Sequence, residues 1–131
     1  MRSESSFEIN GDLIIVEAIV VGPNGKAVTQ LVLDTGSTLT TLVPRIAEAI
    51  GYSSANKVAR SVVRSAVAVE HGYFVRLPQL TALGCTVPNV HANVAELGYD
   101  IDGLLGMNFL SDFNIEIRMA ERRILLEKLA L

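Results

Sequence analysis

Four consecutive residues, Asp34-Thr35-Gly36-Ser37, are the part of this sequence best equipped for chemistry. They follow Leu31-Val32-Leu33, an apolar run with the character of a buried strand. A carboxylate at the mouth of a tight Thr-Gly turn, approached by backbone N–H groups, is placed to exchange protons with a bound water. An ordinary strand-to-turn junction uses the same residue types, because Asp and Gly are favoured in turns. A second feature about seventy positions later weighs against that plainer reading. In Asp102-Gly103-Leu104-Leu105-Gly106 two large apolar residues stand before a Gly, and Met107 to Leu110 then reads as a helical turn.

A strand-end Asp-Thr-Gly with a distal apolar-apolar-Gly resembles the retropepsin-like aspartic proteases, and the chain is similar to their bacterial, single-domain type from about Asp12 to its final hairpin. The resemblance implies an all-β fold: a closed β-barrel, equivalent to one lobe of an acid protease, with one or two short helices, active as a symmetric dimer. It implies that Asp34 is catalytic. Thr35 is implied to hydrogen-bond across the two-fold axis to the partner's backbone, and Gly36 to permit the turn. Ser37 is implied to support the loop and to give the ionised acids a further hydroxyl donor. On that basis Ser37→Ala is expected to move the activity optimum toward higher pH. Leu104, Leu105 and Gly106 are implied to close the catalytic loop from the core side, with Leu104 or Leu105 lining the cleft. A flap hairpin is expected within residues 59–73, its tip near Val63-Arg64-Ser65-Ala66, or alternatively turning at Glu70-His71-Gly72.

Hydrolysing a peptide bond without a covalent intermediate takes two carboxylates: one accepts a proton from water while the other gives one to the carbonyl oxygen. Like charges about 3 Å apart cannot both ionise, so the pair shares a proton. The sequence holds one Asp-Thr-Gly, and Asp102-Gly103 has no Thr or Ser between acid and glycine. The second aspartate must therefore come from an identical chain, which makes a homodimer the expected partner arrangement. The function expected is an aspartic endopeptidase that processes a specific protein or peptide. The alternative is a non-catalytic, dimeric peptide-binding module on the same fold. No cofactor and no metal is implied; His71 and His91 are too few and unpaired for a ligand set.

The elements that must position these residues read as strands almost throughout. Leu13 to Val21 and Ala27 to Leu33 form a hairpin about Gly22-Pro23-Asn24-Gly25, delivering Asp34 at its end. Pro44 opens a short helix closed by Gly51. The run from Val58 to Val69 is broken by His71-Gly72 and resumes at Tyr73. Leu80 to Leu83 and Val87 to Val94 form a further pair, with Cys85 a thiol in the turn between them. Phe113 to Ile117 and Ile124 to Leu129 form a last hairpin; the second half also fits an amphipathic helix, but the alternation before it favours a strand. The 131 residues make one domain, with residues 1–10 a polar segment that is flexible or contacts the second subunit. A net charge of -3 without a Lys/Arg stripe excludes a nucleic-acid footprint. No apolar run reaches membrane-spanning length and no secretory leader is evident, so a cytoplasmic location is expected.

Overall fold

The computed structural model describes residues 1–57, 59–64, 69–98 and 100–129. Strands β3 (Leu13–Gly22) and β4 (Gly25–Leu33) form the expected hairpin, with Gly22 opposite Gly25 and only Pro23 and Asn24 between them. Alternation puts Val16, Ala18 and Val20 of β3 against Thr29 and Leu31 of β4, all buried, while Glu17 and Gln30 face outward. The one hydroxyl on that inner face is satisfied, since Thr29 Oγ1 donates to the Ala18 carbonyl at 2.8 Å.

Four more strands complete a ring: β5 (Thr40–Leu42), β7 (Val69–Ala82), β8 (Cys85–Val94) and β9 (Gly103–Leu105). Their order around it is β3-β4-β9-β5-β8-β7, and β7 closes back on β3 through the Ala18–Ala82 and Val20–Leu80 pairs. Closure leaves these six strands without a free edge over their shared stretch, as the barrel expectation requires. The β4–β9 and β5–β8 pairs run parallel; the other ring pairs are antiparallel. Two short helices, α1 (Pro44–Ala49) and α2 (Met107–Leu110), and a 3-10 turn at Ser54–Asn56 complete an otherwise all-β fold. Inside, Leu31, Leu42, Leu77, Leu80, Leu105 and Phe109 are fully buried in one apolar cluster.

Strand β6 (Ala59–Arg64) pairs antiparallel with the first part of β7, from Ala59–Phe74 to Arg64–Val69. The hairpin therefore extends past the Tyr73–Val94 pair where the barrel begins. Two expectations are corrected here. His71-Gly72 does not break the strand, and Glu70-His71-Gly72 is not a turn: these residues lie inside β7, opposite Val63, Val62 and Ser61. Continuous pairing with β6 outweighs the weak strand propensity of a glycine. Arg64 pairs with Val69; of the expected tip, Val63 and Arg64 end β6, while Ser65 and Ala66 lie outside the described residues.

The chain ends form a separate three-stranded sheet. Strand β1 (Arg2–Ser6) pairs with β11 (Arg123–Glu127), which pairs with β10 (Asn114–Arg118). The N-terminal segment read as flexible or partner-contacting is thus a strand of its own chain's sheet, continued by β2 (Glu8–Asn10) on the edge of β3. The last stretch is the strand favoured over the helix. Ile124 and Leu126 turn inward and join the barrel's cluster together with Phe7. The opposite face carries Arg2–Glu127 and Arg123–Glu4 ion pairs, and Glu116 pairs with Arg118 beside them. Cys85 is the first residue of β8, buried, rather than a turn thiol.

Candidate active site

Asp34 is the first residue after β4, and two backbone contacts fix where it stands. Its N–H donates to the Leu105 carbonyl at 3.0 Å, extending the parallel β4–β9 pairing by one residue. Its carbonyl accepts the Ser37 N–H at 3.2 Å, closing a turn over residues 34–37. The side chain folds back into that turn, where Oδ1 accepts the Gly36 N–H at 2.9 Å. A Cβ on residue 36 would lie 3.3 Å from the same oxygen, so a side chain there would crowd the carboxylate. Asp34 is half-buried; Thr35 beside it is exposed, with no hydrogen-bond partner for its side chain among the described residues.

Leu104-Leu105-Gly106 passes directly behind this turn. Leu105 is fully buried and supplies the carbonyl that holds Asp34, while Leu104 is half-buried on the opposite face, next to Val32 and Thr41. Of the two leucines, only Leu104 keeps surface for a ligand. A Cβ at Gly106 would fall 2.5 Å from the Leu39 carbonyl, and one at Gly103 would fall on the Thr41 carbonyl oxygen. Both glycines are set by backbone packed against backbone.

Ser37 departs from one part of its expectation, that of a further hydroxyl donor to the acids. Its hydroxyl donates to the Leu39 carbonyl at 2.7 Å, and a hydroxyl has a single proton to give. It stiffens the loop and is not a donor to the carboxylate.

Asn108 anchors the far side of the loop. Its Oδ1 accepts both the N–H and the Oγ1–H of Thr40 at 2.9 Å, and its Nδ2 donates to the His91 carbonyl at 2.6 Å. Thr40 Oγ1 in turn accepts the Gly106 N–H at 3.2 Å. Together with Met107 N–H to Ser37 O at 2.7 Å and Asn108 N–H to Thr38 O at 3.1 Å, these bonds tie the loop to α2 and β8.

Tyr73 lies in β7 where the strand leaves the barrel, and Tyr52 reaches the same strand. Burial pushes both phenols above their ordinary value, and the Glu48 carboxylate adds to the effect at Tyr73. Tyr52 OH donates to the Arg76 carbonyl. Among the described residues, no three or more His, Cys, Asp and Glu side chains gather where they could hold a metal ion. A concavity of about 700 Å³ lies over the terminal sheet, lined by Arg2, Glu4, Glu116 and Leu125 among others, and does not include Asp34.

A family model described as aspartyl protease matches residues 16–109, from the middle of β3 through α2, and so spans both motifs. The chain belongs to the aspartyl protease family. Among solved structures it is similar to a retropepsin-like aspartic protease from Rickettsia conorii, with a TM-score of 0.73 and 22% identity over 96% of this chain and 91% of that one. At that identity the likeness establishes a retropepsin-like fold. A search of curated proteins finds no match. Among the described residues, no helix is long and apolar enough to cross a membrane.

Proposed function

We propose that the protein is an aspartic endopeptidase whose active site forms between two copies, each contributing Asp34. The observation that carries this reading is the carboxylate of Asp34, half-buried and held by the turn's own amide at 2.9 Å, in a chain with one such motif. With the two turns facing across a two-fold axis, the pair shares one proton. The ionised carboxylate takes a proton from the water as its oxygen forms a bond to the peptide carbon. The other carboxyl gives its proton to the carbonyl oxygen. The tetrahedral intermediate collapses by breaking the C–N bond: the leaving nitrogen takes the proton gained from water, while the second carboxylate takes back a proton from one geminal hydroxyl as the new C=O forms. No acyl-enzyme forms.

Other features support the arrangement. Thr35 is exposed and its side chain has no hydrogen-bond partner among the described residues, as a residue reaching toward a partner's loop would be. Met1, Ile117, Met119 and Leu129 leave apolar surface around the terminal sheet, suited to burial between subunits. In this reading the β6–β7 hairpin is the flap, and Leu104 offers the apolar wall against which an extended substrate lies. The test is cleavage of a diverse peptide mixture from pH 4 to 7, followed by mass spectrometry, with Asp34→Asn as control. Cuts made by wild type alone are expected. A folded dimer that leaves the mixture intact would favour the non-catalytic peptide-binding module.

A further inference from the structure

Asp102 sits at the entry to β9, and four hydrogen bonds converge on it. Its Oδ2 accepts the Gln30 N–H of β4 at 2.8 Å, and its Oδ1 accepts Arg45 Nη2 of α1 at 2.8 Å. Its carbonyl accepts the Val43 N–H at 3.0 Å, and its own N–H reaches the Gln30 carbonyl at 3.4 Å. β9 is only three residues long, paired as Leu31–Gly103, Val32–Leu104 and Leu33–Leu105, and its last carbonyl holds the Asp34 N–H. A strand this short, with three pairs to β4 and two to β5, has few bonds of its own to resist a slip or a fraying end. Asp102 pins one end of that segment, and Asp34 hangs from the other.

We infer that Asp102 is a positioning residue for Asp34, fixing the β4–β9 register through its bond to the Gln30 amide and thereby the place of the Asp34 turn. For its kinetic consequence this rests on the proteolytic reading; the placement of Asp34 does not. The two carboxylate oxygens are unequal in effect. Arg45 is 65% exposed, so its ion pair is screened by water, whereas the amide bond lies within the strand pair that carries the register. Losing the Gln30 bond therefore disturbs Asp34 more than losing Arg45.

The test compares amide hydrogen exchange at Asp34 in wild type, Asp102→Ala, Asp102→Asn, Asp102→Glu and Arg45→Ala. Asp102→Ala is expected to speed exchange at Asp34 about ten-fold while the β3–β7 seam keeps its protection. Asp102→Asn keeps a carbonyl oxygen for the Gln30 amide and rescues; Arg45→Ala changes little. Asp102→Glu retains the charge but displaces the oxygen by one methylene, so it accelerates exchange even if Asp102→Ala does not fold. In cleavage assays Asp102→Ala is expected to lower kcat about ten-fold with KM within about two-fold, and Asp102→Asn to restore it. Unchanged exchange at Asp34 in the Ala and Glu variants overturns the inference, as does equal acceleration along the β3–β7 seam. A wild type that cleaves nothing would sink the proteolytic reading alone, and the exchange rates would still decide the role of Asp102.

Discussion

Replacing Asn108 with alanine removes three hydrogen bonds at once: two accepted from Thr40 and one given to His91. Thr40 is fully buried, so its N–H and hydroxyl lose their acceptor where bulk water does not reach. An orphaned buried polar group costs about 1–3 kcal/mol. The two Thr40 donors shared one oxygen, and Asn108 is only half-buried, so a water entering the vacated space recovers part of the loss. A net cost of about 2–4 kcal/mol follows, against a typical stability of about 5–15 kcal/mol. Urea unfolding at fixed protein concentration reads this as a midpoint lower by about 1–2 M with an unchanged slope. Thr40→Val removes one of the same bonds, so in the Asn108→Ala background it is expected to add less than it costs alone. A midpoint shift under about 0.3 M, or full additivity with Thr40→Val, would refute the bracing role of Asn108.

Two further outcomes follow from individual bonds. Because Ser37 gives its proton to Leu39, Ser37→Ala is expected to lower cleavage by the same factor at every pH and leave the optimum in place. An optimum displaced to higher pH would restore Ser37 as a donor to the acid pair. Glu127 titrates below its ordinary value of 4.5, held down chiefly by the Arg2 hydrogen bond and then by Asn114. A depressed acid stabilises the fold above its unfolded pKa and loses that contribution as pH falls through the folded one. Exchange protection of the β1 amides should therefore weaken below about pH 4.5 in wild type and less so in Glu127→Gln. Equal acid weakening in the two proteins would show that the Arg2–Glu127 pair does not hold β1.

The half of the molecule that carries Asp34 is legible in the sequence because its information is local. The apolar run before Asp34 is a strand, the Pro23-Asn24 turn sets its register, and Gly103 and Gly106 mark where backbones touch. What eluded sequence reading depends on distant pairing. His71-Gly72 looks like a break when read along the chain, and is a strand only because β6 lies beside it. Arg2-Ser3-Glu4-Ser5-Ser6 has no apolar alternation, yet pairs fully with β11 from the other end of the chain. Asn108 and Asp102 act through the backbones of residues 40, 91 and 30, which no spacing rule brings together. Ser37 shows the converse limit: it follows the Asp-Thr-Gly directly in sequence, but its proton goes to the Leu39 carbonyl two residues on instead of the acid.

The central claim, an active site shared between two Asp34 carboxylates, is tested most directly by subunit mixing. Wild type is held at fixed concentration, an equal amount of Asp34→Asn is added, and sedimentation is used to verify that mixed dimers form. Random pairing across a two-fold interface leaves each wild-type chain with a wild-type partner about half the time, so cleavage should fall to about half. Excess Asp34→Asn should then abolish it. Cleavage that stays constant while mixed dimers accumulate would mean that a single chain's Asp34 suffices, and the shared site would be wrong.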